Sequence, residues 1–208
     1  MNQTILITIY YIDDSPARQQ EIDNCLICNL QNNEIDRIVV FTETMREYDP
    51  LVRKITQIEM KNRLTYQQAF EYANEYLSGD ICILSNSDIV FDGSLSLLRG
   101  VDWVNKFYAI TRHNLQHDGS IAFNDSNACQ DTWIFKSPLK AFPSDFGLGR
   151  PGCDNRIVWE AQNSGLIVLN PCKIIICRHL HLTNKRNYVA NQPVIPGPYG
   201  RAEFGDQL

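Results

Sequence analysis

Four consecutive apolar residues, Ile81-Cys82-Ile83-Leu84, stand between a helix-stopping Gly79 and the polar run Ser85-Asn86-Ser87-Asp88. A run so short and so apolar reads as a strand buried on both faces, the kind found inside a parallel sheet. The polar run then falls at the strand's carboxyl end, the edge of an open α/β sheet where ligands bind. A carboxylate fixed there, beside amide and hydroxyl groups, suits a hard divalent cation holding a phosphorylated ligand. The same residues would also serve a plain Asx-type turn, with Asn86 and Asp88 capping backbone groups.

The flanking sequence supplies the rest of such a sheet. Thr4 to Ile12 is a β-branched and aromatic run, a central strand. Ser15 and Pro16 have the chemistry of a helix N-cap and first turn, and Ile22, Leu26 and Leu30 recur at helical spacing. Ile35 to Thr42 is a second strand, so the first forty residues make a βαβ unit. Residues 44–54 are irregular, and Ile55–Glu59 is a short third strand. Thr65 caps a helix whose inner face is Tyr66, Ala69, Phe70, Ala73 and Leu77. Further strands are expected at Phe107–Thr111, Thr132–Lys136, Leu166–Leu169 and Lys173–Cys177, with a polar loop over 114–130. A Pro- and Gly-rich loop over 137–152 leads to a helix over Cys153–Asn163, and an extended tail follows Asn187. This alternation predicts an α/β fold with an open, mostly parallel sheet.

Composition removes several classes of function. The net charge of −5 and the lack of a dense basic run speak against nucleic-acid binding, which needs clustered Lys and Arg. No apolar run approaches the ~20 residues of a membrane span. No basic n-region precedes Ile5–Ile12, so no signal peptide is expected. The seven cysteines sit mostly in apolar runs, which predicts reduced thiols and a cytoplasmic location. Cys25 and Cys28 have CxxC spacing but fall mid-helix, away from the context that activates a thiol. Gly147 to Gly152 matches GxGxxG, yet no strand precedes it and Pro151 removes an N–H.

In this order the motifs resemble the GT-A class of nucleotide-sugar glycosyltransferases, over roughly residues 4–181. Gly79-Asp80, the strand and Asn86-Ser87-Asp88 resemble that class's strand and DxD segment, with Asn86 in place of the first aspartate. Gln130-Asp131-Thr132-Trp133 resembles the acceptor-side segment. Pro151-Gly152-Cys153-Asp154-Asn155 resembles the start of the helix that carries the base of inverting members, and His179-Leu180-His181 the late histidine of the metal shell. The ensemble is also similar to small glycosyltransferase domains of capsid-glycan synthesis in large algal viruses, which would place it in host cytoplasm.

The resemblance implies one domain over 1–208: a nucleotide-binding half (1–92), an acceptor and catalytic half (93–186) and a C-terminal tail (187–208), which could link to a longer multidomain chain. It implies Mn²⁺ or Mg²⁺ as cofactor, a nucleotide-sugar donor (UDP favoured) and a glycan or glycoprotein acceptor. Asp88 would be the main metal ligand, joined by His181 or, second, His179. Asn86 and Ser87 would contact the donor. Thr8, Tyr10 and Tyr11 end the first strand, where an aromatic could stack on uracil; Glu43 ends the second and could bind base or ribose; Arg63 could pair with the diphosphate. Core packing would explain either tyrosine as well, and Trp133 is equally a sugar-stacking or a buried residue. Asp154, at a helix N-terminus, is expected to stay ionised and act as base; Asp131 is the second candidate. A nucleotidyltransferase would want a Gly-rich basic loop where Asp13-Asp14 stands. A non-catalytic carbohydrate-binding module on the same fold is the other alternative, kept open by Asn86.

Overall fold

The computed structural model describes residues 2–49, 53–183, 185 and 193–208. In chain order the elements are β1 (Thr4–Tyr10), α1 (Pro16–Gln31), β2 (Arg37–Thr42), β3 (Ile55–Glu59), α2 (Tyr66–Tyr76), β4 (Ile81–Ser85) and β5 (Ile89–Phe91). A 3₁₀ segment over Gly93–Gly100 precedes β6 (Lys106–Thr111), β7 (His113–Leu115), β8 (Ile121–Phe123), β9 (Gln130–Lys136), α3 (Cys153–Asn163), β10 (Ile167–Leu169) and β11 (Cys177–His179).

The main sheet has the order β10-β6-β9-β4-β1-β2-β3. All its pairings are parallel except those of β9, which runs antiparallel between β4 and β6. Strand β4, expected inside a parallel sheet, therefore has a parallel neighbour on one side only. The period-two pleat divides the core. Ile5, Ile7 and Ile9 pack with α2 and α3 residues such as Phe70 and Ile157. Leu6 and Tyr10 pack with Ile22 and Leu26 of α1 on the other face. Helix α2 starts on a complete capping box, Thr65 with Gln68, and Gly79 (φ +93°) follows its last turn.

Three expectations are corrected. The polar loop over 114–130 contains the β7–β8 hairpin, whose three-residue strands are too short and polar to show periodicity. The strand expected at Lys173–Cys177 starts only at Cys177 and extends to His179. The apolar residues before it, Ile174 and Ile175, hold a turn in which both amides donate to Pro171 O. Strand β11 joins a second sheet of order β5-β11-β7-β8.

The tail is the third. Residues 187–192 of it lie outside the described residues, but 193–208 fold back along α3. Ile195 N donates to Pro151 O and Gly200 N to Asn155 O, both at 2.8 Å, while Ile195 and Ala202 are buried. A Cβ at Gly200 would lie 2.7 Å from Trp159 N, inside contact distance of backbone. Gly200→Ala is therefore expected to lower stability by ~1–3 kcal/mol, read as a drop in the urea midpoint; an unchanged midpoint would mean the strap does not hold α3.

Candidate functional site

Pro16 opens α1 at its first position, and Ser15 ahead of it has extended backbone. Asp13 organises this corner: its Oδ1 accepts Ser15 N and Lys185 Nζ, each at 2.8 Å. One turn into the helix, Arg18 is buried beneath the carboxyl edge of β4 and β1. Its Nη2 donates to Asp88 Oδ2 at 2.5 Å and its Nη1 to Glu21 Oε2 at 2.8 Å. Glu21 in turn accepts Thr183 N and Oγ1 at 2.8 and 2.9 Å.

Asp88 stands just before β5, and β11 pairs antiparallel with β5 so that His179 lies opposite Ile89. Leu180 N donates to Asp88 O at 2.8 Å, which locks the two segments together. His179 Nε2 comes 3.2 Å and His181 Nδ1 3.5 Å from Asp88 Oδ2. One potential ligand atom from each of Asp88, His179 and His181 lies within 4.8 Å of the others. Asp88 Oδ1 is buried with no hydrogen-bond partner. A buried carboxylate with one oxygen unpartnered and the other facing two imidazoles fits a divalent cation. Burial alone would raise the Asp88 carboxyl; the hydrogen bond and charge of His179 and the charge of Arg18 outweigh it and hold the group well below the usual carboxylate range.

A second constellation lies across the cleft. Asn86 Nδ2 donates to Asp131 Oδ1 at 2.7 Å, and Arg112 Nη1 to Asp131 Oδ2 at 2.6 Å. Both oxygens of Asp131 are thus occupied, and Asn86 Oδ1 is buried without a partner. This explains the departure from DxD: an aspartate at 86 would set a second carboxylate against Asp131. Asn86→Asp is accordingly expected to destabilise by ~1–3 kcal/mol, measured by thermal melting; a rise in melting temperature would reject the pairing.

Asp154 lies in the first turn of α3, whose N-cap is Gly152 in the left-handed region (φ +80°). The direction of its shift is the reverse of the one a helix N-terminus leads one to expect, though the group is still ionised at neutral pH. Burial, then the charge of Asp131, push its carboxyl up to about 6 despite the hydrogen bond it accepts from Asn155 N. The helix terminus is outweighed by burial first and by a neighbouring carboxylate second.

Of the other candidates, Tyr11, Arg63, Asn86, Ser87, Asp88, Asp131, His179 and His181 line one cleft, together with Arg18, Arg112 and Lys185. Asp154 does not line it; it feels the charges of Asp131 and Arg112, which do. Thr8 is turned to Ser85 O, and Glu43 is exposed away from the cleft. Tyr10 is 2% exposed and cannot stack on a base. Its hydroxyl donates to Asp23 Oδ1 at 2.5 Å, with Arg46 over its ring. Trp133 is a core residue, edge-on to Tyr66. A second cavity, of about 300 Å³, lies against β7 and shares Arg112, His179 and His181 with the first. Sequence reasoning missed Arg18 and Arg112, whose partners are 70 and 19 residues away.

No family model and no curated protein sequence matches the chain. Its architecture, a mostly parallel seven-stranded sheet flanked by helices with the polar edge just described, is a GT-A fold. It is similar to a mannosyltransferase from Pyrobaculum calidifontis solved in complex with GDP-Man and Mn²⁺. The two are 12% identical with a TM-score of 0.52 over 86% of this chain and 56% of that one. The chain thus spans just over half of that protein's length. HddC from Yersinia pseudotuberculosis (15% identical, TM-score 0.40, 64% of this chain and 76% of that chain) also matches. So does the glycosyltransferase GlyE of Streptococcus pneumoniae (11%, TM-score 0.41, 65% and 34%). None of these three carries the resemblance to algal-virus domains. Among the described residues no helix is long and apolar enough to cross a membrane.

Proposed function

We propose that this chain is a metal-dependent glycosyltransferase, moving a hexose from a nucleotide-diphosphate sugar to a hydroxyl of a glycan or glycoprotein. One observation carries the reading. A buried carboxylate with an unpaired oxygen and two imidazoles converge at the carboxyl edge of a parallel sheet, in a cleft also lined by Arg18, Arg63, Arg112 and Lys185. That pairing of a cation site with guanidinium and ammonium groups is suited to a diphosphate. The fold is shared with an enzyme solved with GDP-Man and Mn²⁺, which makes GDP a rival to the UDP favoured by the sequence.

Asp88, His179 and His181 would hold Mn²⁺ or Mg²⁺. Bound there, the ion would supply a Lewis acid for the charge that develops on the leaving diphosphate. The protein's own side chains do the rest. Tyr11 and Ser87 face the donor, and Asn86 Oδ1 awaits a hydroxyl donor such as a ribose. Arg63, whose Nη1 is anchored on Leu148 O at 3.2 Å, offers positive charge toward the phosphates. Asp154 takes the proton of the acceptor hydroxyl, giving inversion; Asp131, with both oxygens engaged, orients rather than accepts. Tyr10, Thr8 and Glu43 are left out of the donor set. The chain works as one domain, with donor contacts mainly from 1–92 and acceptor contacts from 93–186. Its seven cysteines are all free, which suits the cytoplasm.

The test is a screen of UDP-, GDP- and dTDP-sugars for slow hydrolysis with Mn²⁺ present. One donor should be hydrolysed, and EDTA or Asp88→Ala should return the rate to background. Hydrolysis that survives both would sink the assignment of the site.

A further inference from the structure

The geometry points to a second binding site, at the edge of the main sheet away from the Asp88 cleft, that takes an acidic saccharide by its carboxylate. It goes beyond the transferase reading and uses none of the residues that line that cleft.

A cavity of about 690 Å³ opens beside the starts of β1, β2 and β4 and the end of β9. That volume lies within the ~300–1,000 Å³ of small-molecule sites. Strand β4 separates it from the cleft. Ile81 lines the cavity and Asn86, just past Ser85, lines the cleft. Ile81 and Ser85 are about 13 Å apart along the strand.

Lys136, the last residue of β9, pairs with Ile81 and is half-buried at the cavity wall. Among the described residues its ammonium group has neither a hydrogen-bond nor an ion-pair partner. A cation drawn partly out of water is ordinarily paired. The register sharpens the need. Lys106 is the next residue out from the Phe107–Phe135 pair, so two like charges end β6 and β9 side by side. Lys106 Nζ donates to Leu208 O at 3.1 Å, which leaves Lys136 as the ammonium without an acceptor. Arg99, half-exposed, brings a second cation to the lining, with its Nη2 3.2 Å from Glu34 Oε2.

The other lining residues suit a sugar ring. Trp103 is held by donation from Nε1 to Leu98 O at 3.2 Å and by the Tyr108 ring, 5.0 Å away between centroids. A fixed indole offers a flat apolar surface to the C–H face of a pyranose. Asn2 and Gln3 add side-chain amides, which both donate and accept. Asp36 accepts Thr4 N at 2.7 Å through Oδ2, and a carboxylate has acceptor capacity left for a sugar hydroxyl. Arg99, Lys136 and Asp36 together carry one net positive charge. A ligand carboxylate neutralises it, and a phosphate dianion exceeds it.

The experiment is titration calorimetry of the full chain with a tetrasaccharide of glucuronate and N-acetylglucosamine, set against the same tetrasaccharide with its carboxylates reduced to alcohols. The acidic form should bind at one site per chain, quench tryptophan fluorescence, and bind ~10–100-fold more tightly than the reduced form. Lys136→Gln should bring the acidic form down to the affinity of the reduced one. Because Lys136 has no partner to lose, this variant should keep the wild-type melting temperature and the wild-type rate of donor hydrolysis. Saturating UDP or GDP with Mn²⁺ should leave the tetrasaccharide bound. No binding, equal affinity for the two forms, or undiminished affinity in Lys136→Gln would each overturn the proposal. So would displacement by the nucleotides, which would move the sugar into the Asp88 cleft. A wild-type chain that binds the acidic form but hydrolyses no donor would sink the transferase reading and leave this site standing.

Discussion

Replacing Asp154 by asparagine is expected to cut glycosyl transfer by ~10²–10⁴-fold while making the fold more stable at neutral pH. The two effects share one cause. Burial and the charge of Asp131 raise the Asp154 carboxyl from 3.8 to about 6. The folded chain therefore holds this proton more tightly than the unfolded chain does. The resulting stability is fully present below pH 3.8 and is lost as pH rises through about 6. Above that, keeping the group ionised costs at most ~3 kcal/mol, and asparagine removes the cost. The amide oxygen can still accept from Asn155 N, so a pure capping role would leave stability unchanged or slightly lower. Melting temperatures of both proteins from pH 4 to 8 should diverge upward for the variant as pH rises. The wild-type rate should fall below about pH 6, where the base is protonated. Asp131→Asn should move that limb to lower pH. A variant that melts lower at every pH and still transfers would return Asp154 to the role of a cap.

That conflict between a carboxylate and its surroundings was not legible in the sequence. The helix start at 153 was, because Gly152 and the apolar spacing of Ile157, Val158 and Ala161 are local signals. Local chemistry favours the ionised form at a helix N-terminus; the opposing charge arrives from Asp131, 23 residues earlier, on β9. The same division runs through the fold. Strands β1, β2, β3 and β4 and the helices announce themselves by runs and periodicity, since burial on a known face dictates residue type. The β7–β8 hairpin and β5 have three-residue strands whose register is set by the second sheet, not by their own pattern. Arg112 was missed for that reason: it sits between β6 and β7, past the strand expected at Phe107–Thr111 and ahead of the loop expected over 114–130. Asp88, Asn86, His179 and His181 were singled out through a motif order and do lie in one cleft, but the exchange of hydrogen bonds that makes asparagine fit at 86 needs the three-dimensional neighbour Asp131.

Arg18→Met is expected to cost about 3–5 kcal/mol at pH 7, the largest stability loss of any single change at the site. The signal for this residue was present and unread. Residues 18, 21, 22, 25, 26 and 29 are the buried positions of α1 and follow one helical face. Extending the Ile22–Leu26 stripe back by one turn reaches Arg18, so a guanidinium is committed to the interior. Methionine keeps the length and apolar contact of the stem but removes the charge shared by Asp88 and Glu21. Two buried carboxylates then face each other's surroundings without a protein cation between them. Burial would raise the Glu21 carboxyl, but the hydrogen bonds from Arg18 and Thr183 hold it below its ordinary 4.5. The stability it contributes is present above 4.5 and lost as pH falls below that value. In Arg18→Met the part of that contribution owed to Arg18 is absent at pH 7, and protonation in acid relieves the strain. The gap between wild type and variant in urea midpoint should therefore narrow from pH 7 to pH 4. Mn²⁺ should restore part of it at neutral pH, because a bound cation replaces one of the charges removed. A gap that stays constant across this range, indifferent to Mn²⁺, would mean that Arg18 holds the edge of the sheet by packing alone.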